Sequence, residues 1–300
     1  MKPAPFQYAA PETVDEAVML LSEYGRDGKI LAGGQSLVPL LAMRLARPSV
    51  LIDLNRIAEL DYIRQTDGEV AIGAMTRQRT IERSGEVREH LPLWWEAVRY
   101  VGHPQIRNRG TVGGSLAHAD PSAELPAAAA ATGATLVTRS TRGERTVSAE
   151  GFFLSYLATA LEPDELLVEV RIPAHARAGT AFLEVARRHG DYALAGVAAM
   201  VTMRDGRCEA VRLAFTGVGP VPVRVAEAEE PLIGRRPEES VYAEIARIVA
   251  GRLDPDSDIH ASAAYRKDVA GVLTARALAL AVSRAQEPMA DSRSSMVDHG

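Results

Sequence analysis

The stretch VAAMVTMRDGRCEAVRLAFTG, residues 197–217, constrains the fold more than any other part of the chain. Two runs of alternating apolar residues flank Asp205 and Gly206, and an Asp-Gly pair readily takes the two positive-φ positions of a tight hairpin turn. Strands joined by two residues are antiparallel, so the C-terminal part is expected to hold an antiparallel sheet. Helices predicted at about Glu238–Ala250 and Ala261–Arg284 complete an α+β unit.

The upstream half reads as mixed α/β. Thr13 is placed to cap a helix, with Glu16 as its capping-box partner, Val14, Ala17, Val18 and Leu21 as the apolar face, and Gly25 as the stop. A strand at Lys29–Ala32 leads into a glycine pair, Ser36 is the expected cap of a helix Leu37–Ala46, and VLIDL (50–54) is a strand. Beyond residue 60, short strands at Tyr62–Arg64 and Val70–Gly73 give way to helices at Thr76–Arg83 and Leu91–Val101. SAELPAAAAATG reads as a helix capped by Ser122 and stopped by Gly133, and ATLVTRS and DELLVEVRIP as strands. The small-residue stretch AHARAG (174–179) marks a boundary. The expected division is therefore residues 1–176, itself split near 58 and 59, followed by 177–285, with a serine-rich, charged tail at 286–300 expected to be disordered.

Composition excludes several function classes. With 47% hydrophobic and 24% charged residues, the 300-residue chain has the balance of a soluble enzyme of about two domains. No apolar run approaches the ~18 residues of a membrane span, and the N-terminus has no secretory apolar region, so a cytoplasmic protein is expected. A net charge of −5 with dispersed arginines is no footprint for nucleic acid. Cys208 is the only cysteine, so the chain can neither close an internal disulfide nor supply the four thiolates of an iron–sulfur cluster. In a hairpin strand it reads as a small packed residue.

Two glycine motifs remain, AGGQS (32–36) and GTVGGS (110–115). Neither matches GxGxxG or the P-loop. A glycine pair nevertheless frees the backbone for positive φ and for close approach of N–H groups to an anion, as a phosphate nest requires. The alternative is a pair of ordinary tight turns. GGSLA (113–117) only faintly matches a nucleophile elbow, its last glycine being replaced by alanine, and no catalytic serine is expected. His118 and Asp120 could face one metal, but no third ligand is marked, so no metal site is assigned. Trp94 and Trp95 suit a packed helix, and Tyr192, taken alone, an apolar core.

Together, AGGQSLVPLLAMRLARP (32–48) and IRNRGTVGGSLAHADPSAELP (106–126) resemble the FAD-binding medium subunit of the molybdenum hydroxylases, the group of carbon monoxide dehydrogenase and xanthine dehydrogenase. RRHGDYALAG (187–196), TGVGPVPVR (216–224) and AYRKDVAGVLTARAL (264–278) extend the resemblance, in order, over nearly the whole chain. It implies a bipartite FAD-binding domain of the PCMH/vanillyl-alcohol-oxidase type followed by a smaller α+β domain. Ala32, Gly33, Gly34, Gln35 and Ser36 with Thr111, Val112, Gly113, Gly114 and Ser115 would wrap the flavin pyrophosphate with backbone N–H groups. Ala117, His118, Asp120 and Glu124 would line the rest of the FAD, with Leu161 and Leu167 near its adenine or ribose and Tyr192 at the isoalloxazine. Relatives often carry a lysine where this chain has Leu183 and Glu184, which removes one cationic contact to the flavin. The implied function is electron transfer from a partner's iron–sulfur clusters through FAD to an external acceptor. The implied partners are a large molybdopterin-binding subunit and a small subunit with [2Fe-2S] clusters, in a dimer of heterotrimers. A self-sufficient flavin reductase or oxidase, and a nucleotide-binding module without redox chemistry, are the rival readings.

Overall fold

The computed structural model describes residues 2–66, 68–175 and 178–286. The expected disordered tail lies outside these residues from 287 onward, and Gln286 ends the last helix. Two residues of the expected boundary, 176 and 177, also lie outside them.

A three-stranded sheet opens the chain, with Val50–Asp53 lying between Gln7–Ala9 and Gly28–Leu31 and parallel to both. Parallel strands need crossovers: the helix Val14–Tyr24 makes the one from Gln7–Ala9 to Gly28–Leu31, and Leu37–Ala42 lies in the one from Gly28–Leu31 to Val50–Asp53. Its cap differs from the expected box in one bond. Thr13 Oγ1 accepts from the N–H of Glu16 at 3.2 Å, but the Glu16 carboxylate reaches one residue further back, to the N–H of Glu12 at 2.8 Å. Val14, Ala17, Val18 and Leu21 are buried against Val50 and Ile52, and the same cluster takes in Val137 and Val168 from the next sheet and Met75 just beyond one of its strands.

That second sheet is antiparallel and five-stranded, in the spatial order Ile63–Thr66, Glu69–Gly73, Leu166–Pro173, Thr135–Ser140, Gly143–Ser148. Its core gathers Ile72, Trp94, Leu116, Leu125, Leu136 and Phe152. Trp94 is fully buried, and its indole N–H donates to Thr132 Oγ1 at 3.2 Å, so the tryptophan packs as its sequence position suggested. The helix Glu124–Thr132 is buried along its whole length, packed between this sheet and the next; alanines let it fit. Ser122 does not cap it, because Ala123 occupies that position, but Gly133 does stop it, in the left-handed region at φ 66°.

A four-stranded antiparallel sheet follows, Ala178–Ala186, Ala193–Arg204, Arg207–Thr216 and Val223–Arg224, covered by the helices Glu239–Arg252 and Ala263–Gln286. Asp205 and Gly206 turn the central hairpin at φ 51° and 71°, the pair of positive angles that the Asp-Gly signal predicts. Cys208 is 1% exposed in that hairpin, and burial pushes its thiol up to about 11. Arginines fasten this layer to helices of the preceding one: Arg212 Nε donates to the carbonyl of Ala131 at 2.6 Å, and Arg284 pairs with Glu96, whose other carboxylate oxygen accepts from the N–H of Phe182.

Candidate functional site

The two glycine motifs, separated by most of a domain in sequence, touch in space. A β-carbon at Gly33 would collide with the carbonyl of Arg109 and lie 2.8 Å from the Cα of Gly110, while one at Gly114 would lie 3.3 Å from the Cβ of Ala32. Glycine at these positions is therefore a condition of loop-to-loop contact. Asn55 and Arg77 hold the two together. Asn55 Nδ2 donates to the Ala32 carbonyl at 3.0 Å, its Oδ1 accepts from Arg77 Nη2 at 2.7 Å, and Arg77 Nη1 donates to the Arg109 carbonyl at 2.6 Å. Asp53, in turn, fixes Asn55 through its backbone N–H at 2.9 Å and accepts from Tyr8 at 2.6 Å. These bonds outweigh the opposing effect of burial and keep the Asp53 carboxyl below its ordinary range. Sequence reading missed Asn55 and Arg77. Nothing local marks them, because their function is to join segments distant in sequence.

The motifs differ in what they offer a ligand. Among the described residues, the amides of Gly33, Gly34, Gln35 and Ser36 have no internal acceptor. Gly34 lies in the left-handed region at φ 75° and Ser36 in the right-handed one, an alternation typical of anion-binding backbone nests. Ser36 was expected to cap the next helix with its side chain. The helix Leu37–Ala42 does start there, but Ser36 has φ −100° and ψ −45°, already helical, so its hydroxyl makes no cap bond and is left for the site.

The second motif is no tight turn but the start of a helix, Val112–His118, whose N-cap Thr111 accepts from the N–H of Gly114 at 3.0 Å. The amides of Val112 to Ser115 are engaged inside the protein. Val112 donates to the Thr76 carbonyl at 2.9 Å, Gly113 to that of Ala74 at 2.8 Å and Ser115 to that of Thr111 at 3.1 Å. The expectation that Val112–Ser115 meet a pyrophosphate through backbone N–H groups is corrected on this point. Gly113 is there for close approach, since a β-carbon would lie within 2.8 Å of the Ala74 backbone. What this segment presents is the glycine surface of Gly114 and the half-buried Ser115 side chain.

A third wall comes from the segment after that helix. Ala119 ends it in the left-handed conformation at φ 51°, and Asp120 Oδ1 accepts from the N–H of Ser122 at 2.9 Å, a turn that explains the polar stretch ADPS. Half-buried His118 is held below its usual range by burial, with Asp120 opposing and Lys29 adding, which favours the neutral imidazole. His118 and Asp120 gather no third ligating side chain among the described residues.

Tyr192 lies in the loop before the strand Ala193–Arg204 and is 61% exposed, which removes it from the core. The protein around its hydroxyl raises the phenol above its ordinary range, and Asp120 and Glu124 add, while the nearby Ser36 hydroxyl lowers it. Ser36, Asp120, Glu124 and Tyr192 thus belong to one neighbourhood. Glu124 is buried, and desolvation, then Glu184, then Asp120, drive its carboxyl well above the usual carboxylate range. Burial pushes Glu184 to about 7, and its Oε2 is buried with no hydrogen-bond partner. Leu167 is a core residue of the five-stranded sheet at 4% exposure, and Leu161 packs partly buried on the same cluster. A surface hollow of about 720 Å³ between Ala10 and Glu23 is lined by no residue of either glycine motif.

The residues present fit a dinucleotide pyrophosphate: four consecutive amides without an internal acceptor, glycines where two loops meet, and the Arg77 guanidinium between them. Comparison with known proteins agrees. Residues 4–175 match the FAD binding domain in molybdopterin dehydrogenase, and residues 180–281 the CO dehydrogenase flavoprotein C-terminal domain. The chain is 43% identical over 288 residues to 6-hydroxypseudooxynicotine dehydrogenase complex subunit alpha of Paenarthrobacter nicotinovorans, covering 95% of this chain and 97% of the relative. It is 40% identical to the carbon monoxide dehydrogenase medium chain of Hydrogenophaga pseudoflava, covering 95% and 99%. Among solved structures it superposes on quinoline 2-oxidoreductase of Pseudomonas putida 86 with a TM-score of 0.92 at 40% identity, covering 96% of this chain and all of that one. The names of these relatives describe subunits of multi-subunit oxidoreductases. The chain belongs to the FAD-binding medium subunits of the molybdenum hydroxylases.

Proposed function

We propose that this chain carries electrons from a partner's iron–sulfur clusters to an external acceptor, with its FAD seated between the two subdomains of the FAD-binding domain, about residues 1–58 and 59–176. The observation that carries the reading is the meeting of the two glycine motifs beside four unengaged amides. Ala32–Ser36 supply N–H donors to the pyrophosphate, and hydrogen bonds to a charged group are worth ~1.5–3 kcal/mol each. Gly114 supplies a surface without a β-carbon, and Ser115 its hydroxyl. Arg77 orients both loops through Asn55 and the Arg109 carbonyl. Ala117, His118, Asp120 and Glu124 line the cofactor beyond the pyrophosphate, and the exposed Tyr192 ring covers part of the isoalloxazine. Burial raises the Glu124 carboxyl well above the usual carboxylate range, which favours the protonated form, a hydrogen-bond donor where an ordinary glutamate would only accept. Leu161 contributes an apolar edge near the adenine, whereas the buried Leu167 supports that wall from behind. Bound FAD supplies a carrier that accepts electrons and passes them on.

One cysteine in the chain leaves the clusters to another polypeptide. On this reading they sit on a small subunit and the molybdopterin on a large one, in a dimer of heterotrimers. The substrate is selected on the large subunit. No helix among the described residues is long and apolar enough to cross a membrane, which accords with a cytoplasmic complex.

Purified alone, the full chain is expected to take up one FAD non-covalently, with a flavin absorption spectrum and no stoichiometric iron or molybdenum. An iron–sulfur cluster bound by this chain alone overturns the division of labour. A colourless chain that ignores added FAD overturns the flavin reading.

A further inference from the structure

Two sequence motifs, TGVGPVPVR and AYRKDVAGVLTARAL, contribute nothing to the glycine loops, yet one side chain connects them to the flavin site. Arg266, in the first turns of the helix Ala263–Gln286, has a side chain only 7% exposed. Its Nη1 donates to the carbonyls of Leu194 at 2.6 Å and Gly217 at 3.0 Å, and its Nη2 to Asp258 Oδ2 at 2.8 Å. Leu194 follows Tyr192 by two residues. On the far side of the same junction, the N–H of Gly217 donates to the Pro121 carbonyl at 2.8 Å, and Thr216 Oγ1 lies 3.0 Å from that carbonyl and 2.9 Å from that of Ala123. Pro121–Ala123 is the chain between Asp120 and Glu124. Gly217, at φ 75°, is required where these strands meet, because a β-carbon there would lie 2.7 Å from the carbonyl of Ala193.

We propose that Arg266 is a positioning residue of the flavin site: its guanidinium locks Leu194, in the strand that follows Tyr192, to Gly217, whose N–H holds the Pro121–Ala123 segment between Asp120 and Glu124. The role rests on the flavin reading above. Three observations support it. Two of the three acceptors are main-chain carbonyls, so the arginine fixes backbone, not another side chain. Its single anionic partner, Asp258, is 46% exposed, a poor return for desolvating a guanidinium if charge pairing were the purpose. Its Nε is buried without a partner, so the geometry is set by the two carbonyls at the cost of an unsatisfied donor. A leucine or methionine would fill the same space but could not fix both carbonyls at once.

The test uses the full chain with added FAD and compares Arg266→Met, Arg266→Lys and Asp258→Asn. Flavin affinity, the visible spectrum and reduction potential of the bound flavin, and the Tm of the flavin-free chain are read for each. Arg266→Met is expected to weaken FAD at least tenfold and to shift both spectrum and potential. Arg266→Lys should recover part of both, since an ammonium is a point donor without the fork that spans two carbonyls. Asp258→Asn should stay within twofold of the parent. If Arg266→Met lowers Tm while affinity, spectrum and potential are unchanged, the arginine is only structural and the proposal fails. If Arg266→Met does not fold, Thr216→Val reads the same junction, with a several-fold loss of affinity and a shifted spectrum expected; an unchanged flavin again defeats the proposal. A parent chain that takes up no FAD overturns the flavin reading itself, and this role with it.

Discussion

Gly33→Val is expected to lose FAD by at least a hundredfold in Kd. The β-carbon that any substitution adds at this position meets the Arg109 carbonyl and the Gly110 Cα, which is backbone on both counts and has no rotamer by which to move aside. The two loops must part, and the amides of Gly33–Ser36 leave the position from which they meet the pyrophosphate. Losing two hydrogen bonds to a charged group at ~1.5–3 kcal/mol each is worth two or more decades of affinity. Gly114→Val is milder at its origin: its β-carbon would lie 2.6 Å from Thr111 Oγ1, so it breaks a cap bond of about 1 kcal/mol and presses on Ala32. The deciding comparison is FAD affinity against the Tm of the flavin-free chain. Variants that keep stoichiometric FAD and merely melt earlier would mean that these glycines serve packing alone.

Glu184→Gln is expected to stabilise the flavin-free chain at pH 8 and to leave it nearly unchanged at pH 4.5. Burial holds the folded Glu184 carboxyl near 7, above its ordinary value of 4.5, so folding favours the protonated form. Below about pH 4.5 both states are protonated and the side chain adds no penalty. Between about 4.5 and 7 the unfolded chain ionises first, stability falls, and above about 7 the full cost is present. A shift of that size corresponds to ~3 kcal/mol at most. Glu124, raised by burial and then by the Glu184 charge, shares the penalty, and the Tyr100 phenol is raised by burial and then by the same charge. A gain on the order of 1–3 kcal/mol amounts to several degrees in Tm for a chain of this size. Thermal melts of parent and variant from pH 4.5 to 8 should diverge as pH rises; a constant offset across that range would show that the carboxyl is not titrating as described.

The two predictions mark how far the sequence carried and where it stopped. The hairpin around Asp205 and Gly206 and the helix capped by Thr13 were legible because their determinants lie within a few residues of one another. The second glycine pair was misread for a physical reason: glycine ordinarily breaks helices, but Gly113 is held in one by its contact with Ala74, which no local pattern reveals. Ser36 failed as a cap because its backbone is already helical. The meeting of the loops depends on Asn55 and Arg77, and that of the C-terminal motifs with the Asp120–Glu124 loop on Thr216 and Arg266. All four act across long sequence separations. Five motifs in order sufficed to indicate the family, whereas the division of labour between the glycine loops needed the hydrogen bonds.

Backbone hydrogen exchange of the full chain, with and without saturating FAD, tests the central claim most directly. Gly33, Gly34, Gln35 and Ser36 have no internal acceptor and should exchange rapidly in the free chain and slow markedly when FAD binds. Val112–Ser115, whose amides are already engaged, should change much less. FAD bound at full stoichiometry with no slowing at residues 33–36 would contradict the pyrophosphate site assigned to this loop.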